Sequence, residues 1–224
     1  IFFRPYTKKM WGIHPKYLSI GIGSRLPIRT NDDTRYFNDN FQALPKDGYS
    51  KMIERMLDHK NINVHLNTNY NKGLESKFDH AFLCLPIDQF FDFRYGVLPY
   101  RSIIFKNVLG DFNDQDAPVI NFTDDSIYTR KTQWNLFPNS PVPINKKRTI
   151  TFEKPCSLED NPGEYYYPVN TKDSKIMYEN YKKLSKSKEK ITFCGRTGLF
   201  KYIDMIPAVN IHLKLANDFL RGNK

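Results

Sequence analysis

The run RSIIFKNVL (101–109), followed by PVINFT (118–123), YTRKTQW (128–134) and RTITFEK (148–154), decides the fold class of this chain. Each segment is short, rich in β-branched and aromatic residues, and bounded by Gly, Asn, Asp or Pro. No helical period separates them, so strand follows strand directly and the spacing predicts an antiparallel sheet. Upstream, NINVHL (61–66) and HAFLCLP (80–86) read as strands, and PIDQFFDF (86–93) as a short helix opened by Pro86. Asp47-Gly48 leads into YSKMIERMLDH, where Met52, Ile53, Met56 and Leu57 recur at helical spacing. Residues 18–35 mix Gly, Pro, Ser and charges and read as a loop. Downstream, KDSKIMYENYKKLSK (172–186) is an amphipathic helix and KITFCG (190–195) a buried strand. DMIPAVNIHLKLANDFL (204–220) is a closing helix capped by Asp204, with Pro207 in its first turn, where a missing N–H costs little. The reading is helix–strand–helix at the end and sheet in the middle, an α/β chain.

Composition narrows the classes. At 224 residues the chain is long enough for one large or two small domains. No apolar run approaches the roughly 18 residues of a membrane span. A formal charge of +10 points to an anionic partner. The densest basic run, KKLSKSKEK (182–190), follows a helical pattern and reads as a solvated face. Three cysteines are an odd number without close spacing, which argues against a disulfide framework or a Cys-rich metal site. Cys84 and Cys194 lie within apolar runs and read as buried, inert thiols, which suits a reducing cytoplasm. His14, His59, His65, His80 and His212 are scattered without ligand spacing, and no G-x-S-x-G elbow occurs. Gly21-Ile22-Gly23 lacks the third glycine of a dinucleotide turn, and Pro27 stands where the helix should begin.

What remains is a set of arginines and tyrosines in distinctive strings: FFRPYTKKMWG (2–12), SRLPIRTNDDTRYFND (24–39), LPKDGYSKMIERML (44–57), LPIDQFFDFRYGVLPYRS (85–102), VINFTD (119–124), YTR (128–130), YYYPVN (165–170) and FCGRTGLFKYIDM (193–205). In this order and spacing they resemble UDP-galactopyranose mutases over essentially the whole chain. The resemblance implies a FAD enzyme that interconverts UDP-galactopyranose and UDP-galactofuranose. In that family the N5 of the reduced flavin attacks the anomeric carbon, UDP leaves, and a covalent flavin–sugar intermediate lets the ring open and reclose. The family begins with a Rossmann-like strand, Gly-rich turn and helix, and roughly the first two-fifths of its chain has no counterpart here. The expectation is therefore that this chain alone neither holds FAD tightly nor catalyses.

The same resemblance implies an architecture and a site. Residues 1–40 would be a helical and mobile-loop substrate region, and 41–85 part of a FAD-binding domain. Residues 86–170 would be an antiparallel sheet substrate domain, and 171–224 the C-terminal part of the FAD-binding domain, so that the α/β fold contains the remnant of a Rossmann-like domain. Arg25, on a mobile loop, and Arg130 match the arginines that bind the diphosphate, whose charge planar guanidinium groups suit. Phe2, Tyr6 and Trp11 match aromatics walling the uridine and sugar. Tyr36, Tyr202 and Tyr166, or Tyr167 one residue on, match tyrosines meeting phosphate or sugar. Arg196, Tyr202, Asp204 and Met205 match the segment lying against the flavin, with Asp204 also near substrate. Arg101 matches an arginine at the edge of the site, or is a structural ion pair. Thr197 and Phe200 depart from the better-known bacterial pattern, so another nucleotide sugar stays open. Implied partners are a UDP-sugar and, since family members often form homodimers, a second copy; no nucleic-acid signature or membrane span is present. A non-catalytic UDP-sugar-binding module and a flavin amine-oxidase-like enzyme are the competing readings.

Overall fold

In the computed structural model, residues 3–19, 29–35, 37–111, 115–138, 140 and 147–222 are described. Two long strands form the spine: β2 (Tyr100–Gly110) and β5 (Arg148–Ser157) pair antiparallel from Arg101↔Ser157 to Gly110↔Arg148. With β3 (Val119–Asn121), β4 (Arg130–Gln133) and β6 (Tyr167–Pro168) they make a five-stranded antiparallel sheet in the order β3-β4-β5-β2-β6. A separate pair, β1 (Ala81–Leu83) and β7 (Ile191–Phe193), runs parallel. The helices are α1 (Phe3–Trp11), α2 (Gly48–Leu57), α3 (Ile87–Phe90), α4 (Lys172–Ser185), α5 (Gly195–Gly198) and α6 (Met205–Leu220). The fold is mixed α/β, with the antiparallel sheet where the strand-rich run 101–154 placed it.

Local chemistry sets the element ends. Thr171 and Ser174 cap α4 reciprocally: the Ser174 N–H donates to the Thr171 hydroxyl at 3.2 Å, and the Thr171 N–H to the Ser174 hydroxyl at 2.9 Å. Gly12 ends α1 at φ +69°, its N–H donating to Lys8 O at 2.9 Å. A side chain there would also meet the Arg101 guanidinium at 3.0 Å, so the arginine would have to shift.

Some expectations fail for physical reasons. NINVHL (61–66) forms no strand. Its alternating apolar face is real, but Val64 and Leu66 line a groove against Tyr49, Ile53 and Leu57 of α2, and among the described residues no strand pairs with it. Trp134 leaves β4 for a 3-10 turn (Trp134–Leu136). YYYPVN contributes the unforeseen β6, an edge strand, where Pro168 is tolerated. Cys194 is buried as expected, but Cys84 is exposed.

Two apolar cores follow. One joins Ile87, Phe90, Leu98, Tyr100, Tyr181, Phe193 and Phe200, where α3, α4 and β7 meet the start of β2. The other joins Met10, Trp11, Ile103 and Val169 under α1. By contrast α2 and α6 bury no residue, and Met56, Val209 and Leu213 stand more than half exposed. Among the described residues no helix is long and apolar enough to cross a membrane.

Tyr181 ties the first core together. Its ring is fully buried, its hydroxyl donates to Gly96 O at 2.7 Å and accepts from the Tyr95 N–H at 2.9 Å. Tyr181→Phe leaves both backbone groups without that partner and should cost about 1–3 kcal/mol in urea unfolding. Tyr17→Phe, at a 60% exposed position, should stay within about 0.5 kcal/mol. Equal effects would remove Tyr181 from its assigned role.

Candidate functional site

Sheet register decides which side chains share a face. Arg130 pairs with Glu153, Glu153 with Phe105, and Arg101 with Tyr167, so Arg101, Ile103, Arg130, Glu153 and Tyr167 project to the same side. Helix α1 lies over that side. Lys9 Nζ donates to Tyr128 O at 3.0 Å and Phe122 O at 3.3 Å and pairs with Asp124 at 3.5 Å, pinning the helix to the β3–β4 connection. Arg101 Nε donates to Met10 O at 3.0 Å and pins its other end to β2. Together these contacts hold Tyr6 and Trp11 over the sheet.

Three rings then close one wall. Trp11 lies 5.9 Å from Tyr167 and 5.3 Å from Tyr202, and Tyr167 lies 5.3 Å from Tyr202, centroid to centroid. The Arg196 guanidinium stands over both tyrosines, 5.5 Å from Tyr167 and 5.4 Å from Tyr202. Its two terminal nitrogens donate to Tyr166 O and Ile203 O, each at 2.7 Å, which fixes the segment entering α6 against β6. Arg196 is thereby preorganised by backbone carbonyls, with no carboxylate needed to hold it.

Arg130 is held more loosely. Its guanidinium is 3.5 Å from Glu153 Oε1 and 3.3 Å from Asn121 Oδ1, long for charge-assisted contacts. Its side chain is 37% exposed and that of Glu153 only 12%, so an anion can reach the arginine more readily than the acid. Burial pushes the Glu153 carboxyl up, with Arg130 partly offsetting it. Burial works against the Arg130 charge, but Glu153, Tyr6 and Tyr167 outweigh it and the guanidinium is raised. Burial also raises the Tyr6 phenol, with the nearby Arg130 charge partly opposing it, and pushes Tyr167 up to about 12. Both phenols stay protonated at neutral pH and can donate. The arrangement has cations, neutral donors and flat rings around one acid: chemistry for gripping an anion that carries an aromatic or sugar moiety.

The structure brings Tyr6, Trp11, Arg130, Arg196 and Tyr202 into one cluster. Of the two registers open for YYYPVN, Tyr167 joins it, while the Tyr166 hydroxyl donates to Glu164 at 2.8 Å. Arg101 meets the cluster through α1, and desolvation lowers its pKa. Asp204 holds the N-cap position of α6, but its side chain makes no capping hydrogen bond, contrary to the sequence expectation; Met205, the first helical residue, is 64% exposed. Arg25, Phe2 and Tyr36 lie outside the described residues. Glu153 and Lys9 were missed. Glu153 is the lone acid of RTITFEK, and only the strand register reveals that it faces Arg130. A groove of about 720 Å³ between α4 and α6, lined by Phe82, Phe193, Phe219 and Lys182 among others, shares no residue with this cluster.

Known proteins resemble the chain along its length. A family model described as UDP-galactopyranose mutase matches residues 1–202. A Klebsiella pneumoniae protein named "Probable UDP-galactopyranose mutase" is 36% identical over 98% of this chain and 56% of its own length. The dTDP-fucopyranose mutase of Escherichia coli is 31% identical over 100% of this chain and 60% of its own. The UDP-galactopyranose mutase of Mycoplasma genitalium is 29% identical over 97% and 57%. The chain thus spans under two-thirds of the length of these curated relatives.

Removing Arg130 tests the electrostatics of the cluster. Arg130→Ala leaves Glu153 raised further above its unfolded pKa, so the native state takes up a proton that the unfolded state does not. The Glu153 contribution is then fully present below the usual carboxylate range and is lost as pH rises through the folded value. The expected loss in urea unfolding is about 1–2 kcal/mol near pH 8, less than for a fully buried pair because Arg130 is partly solvated, and smaller near pH 5. An equal loss at both pH values would contradict this.

Proposed function

The chain belongs to the UDP-galactopyranose mutase family, and on that premise we propose that it carries the substrate-gripping part of an isomerase interconverting UDP-galactopyranose and UDP-galactofuranose. The observation that carries this reading is the Arg130 guanidinium, held only loosely by Glu153 and flanked by the protonated phenols of Tyr6 and Tyr167. As the anomeric C–O bond breaks, negative charge collects on the departing diphosphate. Arg130, with Arg25 closing over it, takes up that charge, and the Tyr6 and Tyr167 hydroxyls donate to it. Trp11 and Tyr202, with Phe2, offer flat surfaces to uracil and sugar, and Tyr36 a further hydroxyl. The same donors hold UDP in place for recapture and keep water from the sugar.

FAD fits the remaining residues. Arg196 is braced by two carbonyls and stacked on two rings, and α6 opens at the exposed Met205 beside Asp204, so its first-turn N–H groups suit an electron-rich ring edge. When bound, reduced FAD supplies through N5 the electron pair for attack on the anomeric carbon. We assign 1–40 and 86–170 to the substrate side and 41–85 and 171–224 to a Rossmann-like flavin-binding domain. Parallel pairing of β1 with β7 joins the latter two segments and supports this division. A cytoplasmic location and a homodimer are proposed from the family resemblance alone.

The likeness to a dTDP-fucopyranose mutase makes a thymidine nucleotide the second reading. Calorimetry with UDP and dTDP separates the two: UDP should bind more tightly, and Arg130→Ala should weaken it about 10–100-fold, the loss of one charge-assisted contact. FAD-loaded, dithionite-reduced protein of the relatives' full length should turn over UDP-galactofuranose, and oxidised protein should not. UDP binding untouched by Arg130→Ala, or no turnover after reduction, would overturn the assignment.

A further inference from the structure

Cys84 and Cys194 stand side by side at the C-terminal ends of the parallel strands. The β1–β7 register reaches Leu83↔Phe193, and the Cys194 N–H donates to Leu83 O at 3.0 Å, so the next step of the ladder aligns the two cysteines. Neighbouring strands lie about 4.8 Å apart, within the roughly 4.4–6.8 Å Cα separation a disulfide accepts. Their sulfurs are already 3.1 Å apart, and closing to a bond of about 2.05 Å needs a movement of about 1 Å. The residue beside them is Gly195, at φ +71°. A Cβ at that position would come within 3.1 Å of Cys84 Sγ, so the glycine leaves the sulfur its space.

The two thiols are unequal. Cys84 is exposed and Cys194 buried. The hydrogen bond between them lowers the Cys84 pKa, with burial opposing, and it raises that of Cys194 together with burial. Cys84 is thus the accessible thiolate of the pair. His212 is the third soft donor nearby, all three ligand atoms lying within 4.8 Å of one another. Its Nε2, however, accepts from the Gly195 N–H at 2.7 Å, and its Nδ1 lies 2.5 Å from Ala208 O. Both imidazole nitrogens are engaged by backbone, which disfavours a metal ion and leaves each sulfur as the other's partner.

We propose that Cys84 and Cys194 form a reversible dithiol–disulfide pair, Cys84 attacking and Cys194 resolving, with a low-molecular-weight disulfide as oxidant. The Cys84 thiolate attacks one sulfur of RSSR, forming Cys84–S–S–R and releasing RS⁻. Cys194 gives up its proton, and its sulfur displaces the second RS⁻ from Cys84 to leave the Cys84–Cys194 bond. Two protein thiols lose two protons and two electrons, and the oxidant leaves as two thiols. The bond would staple the turns after β1 and β7, already joined where Thr197 Oγ1 donates to Cys84 O at 3.0 Å. The pair shares no residue with the arginine–tyrosine cluster, so this proposal stands apart from the functional assignment.

The test is oxidation of the native full chain with oxidised glutathione, alkylation, and non-reducing peptide mapping. The expected result is a Cys84–Cys194 cross-link, reversed by dithiothreitol, with near-complete loss of Cys84 alkylation, while Cys156 is alkylated only after denaturation. Cys194→Ser should trap glutathione on Cys84, and Cys84→Ser should leave Cys194 unmodified. If a serine variant fails to fold, the wild-type map still decides, since oxidation after denaturation should scatter the links to include Cys156. Absence of the cross-link in native protein, a glutathione adduct on Cys194 in Cys84→Ser, or a metal ion protecting both thiols and released by acid would overturn the proposal.

Discussion

Glu153 faces Arg130 across the β4–β5 ladder, and the chemistry of the whole sheet face turns on that pairing. A carboxylate buried to this degree is costly, and the arginine offsets only part of the cost, since Glu153 remains raised. Pairs of this kind add little net stability and are better understood as orienting devices. Glu153 keeps the guanidinium on the α1 side of the sheet. The 3.5 Å separation leaves that guanidinium with donor capacity for another acceptor. A tighter, bidentate pair would be neutralised, and an unpaired arginine would be free to swing into solvent.

The surroundings keep this geometry by tying separate parts of the chain to the same face. Lys9 anchors α1 to the β3–β4 connection and Arg101 anchors it to β2. Arg196 draws the segment before α6 onto β6 through two carbonyls. Between these ties the Tyr202 ring packs edge to face with both Trp11 and Tyr167, an arrangement that aromatic quadrupoles favour. Basic side chains therefore do two jobs here. Arg101 and Arg196 donate to backbone oxygens and set positions, whereas Arg130 is set beside an acid and keeps capacity for a ligand.

The sequence made the antiparallel sheet legible because its strand segments are rich in β-branched and aromatic residues and follow one another without helical spacing between them. It misled at Val64 and Leu66, whose alternation is genuine but faces a groove beside α2, since a strand needs a neighbour as well as a pattern. It hid β6, because Pro168 argues against a strand everywhere except at an edge. Tyr6, Trp11, Arg130, Arg196 and Tyr202 were found through family strings and do converge. Glu153 could not be found that way, because its role comes from cross-strand register. Cys84 and Cys194 are 110 residues apart, and their juxtaposition follows only from the parallel pairing of β1 with β7.

The central claim is that one face of the sheet, under α1, grips a nucleoside diphosphate through Arg130. The most direct measurement is the structure of the full chain in complex with UDP. The account predicts the diphosphate within hydrogen-bonding distance of the Arg130 guanidinium and the uracil against the aromatic residues of the α1 region. UDP seated in the groove between α4 and α6, or on the sheet face with no contact to Arg130, would contradict it.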